Sequence, residues 1–257
     1  MLWPLWNRAA EARRADPLIH DPMSIELIER IDYDFEATFG PPDVGHAIRA
    51  RFGDDLISAF LHQHANGVVI ALGEGLETQF WRVDDGNVRW YSVDLDEAID
   101  VRQRLLPDHP RNVPIARSAL DTSWFDEVAT GDPVFISAAG LLMYFERTQV
   151  IELLRALAGH FRAAELFFDI IPPWFSRATL RGFKLTRYYT VPAMPFGLGL
   201  GEVRRFAKAI PGLELVSASS YAEPFPSRAG LYAVAWLFPW VRSNLVPGLV
   251  HARVSPM

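Results

Sequence analysis

The chain has 257 residues, enough for one large domain with a sizeable buried core. Half the residues are apolar and 22% are charged, and the net charge of −6 offers no basic excess to displace counterions from nucleic-acid phosphates. The sequence contains no cysteine, which excludes disulfides, thiolate nucleophiles and Cys-ligated metal centres. Any chemistry must come from oxygen and nitrogen groups or from a bound cofactor. The opening MLWPLWNR lacks the basic start of a secretory signal, and the longest apolar run, 230–241, falls short of the roughly 20 residues that span a bilayer. A soluble, cytoplasmic protein is expected, with no membrane and no nucleic-acid partner.

Residues 1–60 read as a helical cap: RAAEARR, MSIELIERI and GHAIRARFGDDLISAFLHQH. In the last piece Ile48, Phe52, Leu56 and Phe60 recur every four residues beside Ile57 and Leu61, which predicts an amphipathic helix. After the Asn66-Gly67 turn signal comes VVIAL (68–72), a continuous apolar run of the kind found in buried parallel strands. RWYSV (89–93) predicts a second strand, 95–106 a helix ended by Pro107, 113–116 a third strand and 133–137 a fourth. Val150, Leu153, Leu154, Leu157 and Phe161 mark another amphipathic helix before a fifth strand at 165–171. Strands separated by helices imply right-handed crossovers and a mostly parallel sheet covered on both faces. Two runs near the end, 213–218 and 231–238, lack room for a helix between them and are expected to close the sheet as an antiparallel pair.

The chemistry concentrates after the first strand, where VVIAL runs into Gly73-Glu-Gly75. Glycines at such a bend let backbone approach a ligand at the carboxyl end of the sheet. Twenty-one residues after Gly73, Asp94 ends the second strand, the usual place for an acid that binds ribose hydroxyls. An acid there also suits the cap of the following helix, and the residues alone leave both readings open. The dinucleotide fingerprint would have glycine at position 78, where this chain has Thr78. That weakens a nicotinamide or flavin reading and leaves room for a nucleoside cofactor without pyrophosphate, such as S-adenosylmethionine.

The segment LGEGLETQFWRV…WYSVDL resembles the first two motifs of the leucine carboxyl methyltransferase family, which includes O-methyltransferases of bacterial polyketide pathways. RAAEARRADPLIHDP, RARFGDDLISAFL and PVFISAAGLLMYF resemble three further family motifs, in order and at compatible spacing. The resemblance implies a Rossmann-like class I methyltransferase, α/β, with a seven-stranded mostly parallel sheet, an antiparallel C-terminal strand and a helical N-terminal cap. One domain over 1–257 is expected, with the cap at 1–60, a cofactor-binding half at 61–171, a substrate-side insertion at 172–201 and the rest of the sheet at 202–257. The implied cofactor is S-adenosylmethionine, released as S-adenosylhomocysteine, with no metal.

By that resemblance Arg49 pairs with the cofactor's methionine carboxylate, Gly73 and Gly75 form the glycine loop, and Asp94 binds ribose. Arg51 competes with Arg49 for the first role. Ser118 and Ala119 stand at the adenine positions, and Glu74, Leu95 and Ala138 complete the expected cofactor set. Ala139 departs from the family, which usually has Glu there. For catalysis the sequence offers only Tyr144 and His20 as weak candidates. His62 and His64 diverge on a helix and make no metal pair. The region 172–201 is rich in aromatic residues, and Trp174, Tyr188, Met194 and Phe196, with Tyr144, are candidates to line an apolar acceptor pocket, although the same residues suit ordinary packing. The expected partner is a small, flat, aromatic or polyketide-like acceptor methylated on a carboxylate or phenolic oxygen, with the protein a monomer or homodimer. Two alternatives stay open: a non-catalytic methyltransferase-like binding protein and a nucleotide-dependent oxidoreductase.

Overall fold

The computed structural model describes residues 1–128, 131, 133–228 and 238–255. Four helices come first: α1 (Leu2–Ala12), α2 (Pro22–Arg30), α3 (Phe35–Phe39) and α4 (Gly45–Gln63). Then β1 (Val68–Leu72), α5 (Gln79–Val83), β2 (Arg89–Asp94), α6 (Asp96–Leu105) and β3 (Asn112–Ala116) alternate. They are followed by β4 (Val134–Ala138), α7 (Arg147–His160), β5 (Glu165–Ile170), α8 (Pro173–Leu180) and α9 (Val203–Lys208), and finally β6 (Leu213–Ser220), α10 (Pro239–Asn244) and β7 (Gly248–Val254).

The seven strands form one sheet in the order β3-β2-β1-β4-β5-β7-β6. The first five are parallel, while β7 runs antiparallel to both β5 and β6. The expected seven-stranded sheet with an antiparallel C-terminal strand is therefore present. Its last strand comes from elsewhere in the sequence than anticipated: the partner of β6 is 248–254 rather than 231–238. Residues 231–237 lie outside the described residues, and Phe238 caps α10. The strand GLVHARV mixes His and Arg with apolar residues and starts on glycine, so its composition carries no alternation to announce it.

Period-two alternation divides the core. Val69, Ala71, Trp90, Phe135, Phe167 and Leu249 face α4 and α5, where Ile48, Ile57, Phe60, Leu61 and Phe80 cover them. Val68, Ile70, Leu72, Ile136, Phe168 and Val250 face the other way, onto Leu153, Leu154 and Leu157 of α7 and Phe206 of α9. Among the described residues no helix is long and apolar enough to cross a membrane.

The cap is fastened by charge. Asp21 caps α2, accepting the Ser24 N–H at 3.1 Å with Pro22 at the first helical position. Its carboxylate also meets Arg8 of α1 at 3.3 Å, Arg82 of α5 at 3.2 Å and the hydroxyl of Thr78 at 2.8 Å. Arg8 and Arg82 in turn hold Glu77 at 2.9 and 2.7 Å, and Arg82 pairs with Asp54 of α4 at 2.7 Å. Thr78, at the position of the missing glycine, is thus a fully buried clamp between the cap and the β1–α5 turn. Burial alone would raise the Glu77 carboxyl, but two guanidinium groups outweigh it and hold the group down to about 2. Asp54, with one arginine, is raised by its burial.

Because folded Glu77 titrates near 2 rather than at its usual 4.5, its ionised form stabilises the fold above pH 4.5. That contribution is lost as pH falls from about 4.5 to about 2. Chemical denaturation across this range is expected to give a Glu77→Gln protein that is less stable at neutral pH and loses less stability on acidification. Parallel acid profiles for the two proteins would refute the assignment.

Candidate active site

The sheet order reverses between β1 and β4, and in open α/β sheets the crevice at the carboxyl ends of the strands beside that reversal receives ligands. A cavity of about 950 Å³ opens there, at the upper end of the usual range for ligand sites. Its floor comes from the β1–α5 turn, the ends of β2, β4 and β5, and one face of α4. Its roof comes from α1, α3 and the chain after α8.

At the floor, Gly73 has φ +62°, and a Cβ there would lie 2.5 Å from a Leu141 methyl. The residue is glycine both for its left-handed backbone and for the close approach of the β4 turn. The Gly75 N–H donates to Asp94 Oδ2 at 2.8 Å, and Leu95 N–H donates to Oδ1. The N-cap of α6 is Leu95, and no side chain caps that end, so Asp94 braces the glycine loop instead of capping the helix. Carbonyls of the same loop are held from behind: Arg8 donates to Leu76 O at 2.8 Å, and Arg102 donates to Gly75 O and Glu77 O. Glu74 is buried, with its carboxylate engaged by Arg102 at 3.0 Å and by the Ser92 hydroxyl, and burial pushes it up. Its charge is committed to the loop's support.

Arg49 lines the cavity and pairs with Asp169 at the end of β5, Nη1 to Oδ2 at 3.1 Å. Burial alone would lower the guanidinium, but the adjacent carboxylate raises it. Asp169 also accepts the Tyr221 hydroxyl at 2.8 Å and the backbone N–H of Gly140. Gly140 has φ +75°, and a Cβ there would sit 2.6 Å from Arg49 Nη1, so the β4 turn is pressed against the guanidinium. Arg51 is turned elsewhere, to Leu18 O and Asp55. Ala139 lines the cavity between these groups.

The other sequence candidates divide. Leu95, Tyr144, Trp174 and Met194 line the cavity. Ala138 is buried at the end of β4, Ser118 accepts the Leu120 N–H in a turn, and Ala119 packs in the core, all outside the lining. Tyr188 is 61% exposed beneath the Arg187 guanidinium, and Phe196 is buried against Phe206, so neither reaches the cavity. His20 is exposed and does not line it either. Burial, with Tyr189 nearby, pushes the Tyr144 phenol up to about 12, which keeps it protonated at neutral pH.

Sequence reasoning missed His46, Asn7, Asp169 and Tyr221. Asp169 sits in ELFFDI at the end of a strand, a position that signals function; the others join the site only through packing of the cap and of the segment after β6. An aromatic wall also went unread: Trp3 meets His46 edge-on at 4.9 Å and Tyr189 at 6.0 Å, and Tyr189 meets Phe39 at 4.8 Å. Each ring comes from a different element, so no local pattern displays it.

The leucine carboxyl methyltransferase family model matches residues 2–158. The tetracenomycin polyketide synthesis O-methyltransferase TcmP of Streptomyces glaucescens is 33% identical over 218 residues, covering 83% of this chain and 78% of that protein. The S-adenosyl-L-methionine-dependent methyltransferase dpfgK of Gibberella zeae is 27% identical over 66% of this chain and 64% of its own length. A putative methyltransferase from Thermobifida fusca superposes with a TM-score of 0.59 over 91% of this chain and 88% of its own, at 16% identity, which shows the shared fold.

Arg49→Ala is expected to leave the buried Asp169 carboxylate with neutral donors only and to lower stability by roughly 3 kcal/mol in urea denaturation. Asp94→Ala, which removes no ion pair, is expected to cost under about 1 kcal/mol. Equal losses would mean that the Arg49–Asp169 pair does not brace the fold.

Proposed function

The chain belongs to the leucine carboxyl methyltransferase family, and from that premise we propose that it is an S-adenosylmethionine-dependent O-methyltransferase acting on a small, flat, aromatic metabolite of polyketide type. The observation that carries this reading is a single cavity whose polar floor carries Gly73, Asp94, Arg49 and Asp169 while its roof is aromatic.

The residues at the floor fit a nucleoside cofactor with an amino-acid tail. Gly73 brings bare backbone to the cavity wall, and Asp94 offers carboxylate oxygens at the end of β2 for ribose hydroxyls. Arg49 and Asp169 present a cation and an anion side by side, complementary to the carboxylate and ammonium of a methionyl end. When bound, S-adenosylmethionine would supply a sulfonium-activated methyl group, which would pass to the acceptor oxygen with S-adenosylhomocysteine as the leaving group.

What the protein adds is alignment and exclusion of water. A carboxylate acceptor is already nucleophilic at neutral pH, and a phenol becomes so through hydrogen bonds that favour its anion. The ring wall of Trp3, Tyr189 and Phe39 suits a planar acceptor because offset and edge-to-face contacts with it are favourable. The relative from Streptomyces glaucescens, named for tetracenomycin polyketide synthesis, supports a polyketide as the acceptor class.

Calorimetric titration with S-adenosylmethionine is expected to show binding that Asp94→Ala weakens by about 1–3 kcal/mol, the cost of a lost charge-assisted hydrogen bond. Incubation with methyl-labelled cofactor and a panel of aromatic acids and phenols should transfer label to oxygen. No cofactor binding by the wild-type protein, or wild-type affinity in the Asp94 variant, sinks the reading.

A further inference from the structure

The floor and roof of the cavity meet at His46, on the first turn of α4, whose ring nitrogens have different environments. The backbone N–H of Asp43 donates to Asn7 Oδ1 at 3.2 Å. That bond fixes the orientation of the Asn7 amide, because only its oxygen can accept. The Asn7 Nδ2 therefore faces His46, and it lies 2.7 Å from His46 Nδ1. An amide nitrogen donates and cannot accept, so Nδ1 must carry a lone pair there and the ring proton must sit on Nε2. Among the described residues Nε2 makes no hydrogen bond, and His46 lines the cavity. Burial, together with Arg49 and Arg8 nearby, holds the imidazole well below its usual value, so it is neutral at pH 7.

We propose that His46 is the specificity-determining donor of this site: its Nε2–H, fixed in that tautomer by Asn7, hydrogen-bonds a carbonyl or carboxylate oxygen of the aromatic acceptor. The proposal rests on the acceptor-binding reading of the cavity given above. It assigns a job different from general-base catalysis. For Nε2 to take a proton from a phenol it would first have to be bare, which moves the ring proton to Nδ1, against the Asn7 N–H group. The aromatic wall adds the second half of the recognition. Trp3 touches the His46 ring edge-on and continues to Tyr189 and Phe39, so an acceptor packed against these rings can turn an edge to the imidazole. A planar ring carrying an oxygen acceptor on that edge, as in an ortho-hydroxy aromatic acid, satisfies both.

Two measurements test this independently. Nitrogen NMR of protein labelled with ¹⁵N-histidine, assigned with His46→Gln, is expected to show a neutral His46 protonated on Nε2 at pH 7. Asn7→Asp, whose carboxylate accepts from the ring, is expected to move that proton to Nδ1. A wild-type His46 that is protonated on Nδ1, or doubly protonated, overturns the proposal. In the second measurement ortho-hydroxynaphthoate is titrated in the presence of S-adenosylhomocysteine, with tryptophan fluorescence as the readout. His46→Phe is expected to lower its affinity about 5- to 10-fold, the value of one hydrogen bond. His46→Gln, whose side chain can accept from Asn7 and donate to the acceptor, should recover most of the loss. Cofactor affinity should be unchanged in both variants. Equal acceptor affinity in the Phe variant, or wild-type protein that binds cofactor but not the naphthoate, refutes the role of His46. Failure of the wild-type protein to bind any cofactor refutes the methyltransferase reading instead and leaves the tautomer result standing.

Discussion

Everything at the cavity depends on the buried charge network that joins Arg8, Asp21, Asp54, Glu77 and Arg82. These five residues come from α1, the start of α2, α4, the glycine turn and α5, so a single cluster locks the cap onto the β1–α5 turn. Buried ion pairs are poor sources of net stability, because each ion gives up its hydration, and an apolar cluster of equal volume would often do as well. What the network supplies is position. Arg8 holds the carbonyl of Leu76 while pairing with Glu77, so the helix that roofs the site and the loop that floors it cannot slide past each other without stripping a buried charge of its partner. A hydrophobic contact, such as that of Leu5, Leu27 and Leu76 beside it, tolerates such sliding far better.

The same logic recurs one layer closer to the cavity. Arg102 and Glu74 form a second buried pair beneath the glycine turn, with Ser92 of β2 completing it. The turn is thus gripped by arginines from two sides, and its backbone N–H at Gly75 remains directed at Asp94. Glu74 and Glu77 of the glycine turn are therefore structural counter-ions. Asp94 stands apart because its hydrogen bonds among the described residues are to backbone N–H groups, which leaves its remaining lone pairs available to hydroxyl donors.

How much of this was legible follows from the range of each signal. Strands β1 to β5 and the helices α4, α6 and α7 are written in local apolar periodicity, and the Gly73, Asp94 and Arg49 positions lie within the stretches that carry the family resemblance. Strand β7 was missed because an antiparallel strand seated between two others takes its hydrophobic environment from β5 and β6 and needs little alternation of its own. Phe196 and Tyr188 illustrate the opposite error. Both are aromatic in an aromatic-rich segment, yet one turns into the core and the other into solvent, a choice fixed by backbone direction that composition does not encode. The Asn7–His46 and Asp169–Tyr221 contacts span 39 and 52 residues, and nothing local to either partner marks them.

The polar groups of the cavity also explain why a base was hard to find in the sequence. Tyr144 holds its proton more tightly than a free phenol, His46 offers an N–H, and Asp169 already carries three donors. Each is committed to donating or to neutralising, not to accepting a proton. A methyl donor with a sulfonium leaving group needs no acid at the leaving atom and, with an anionic acceptor, no base at the nucleophile. Selection on such a site acts on orientation, which is distributed over the contacts of Trp3, Tyr189 and His46. That is why the glycine-loop end of the cavity is a set of recognisable motifs, whereas the aromatic end is assembled from single residues of the cap and of the chain after α8.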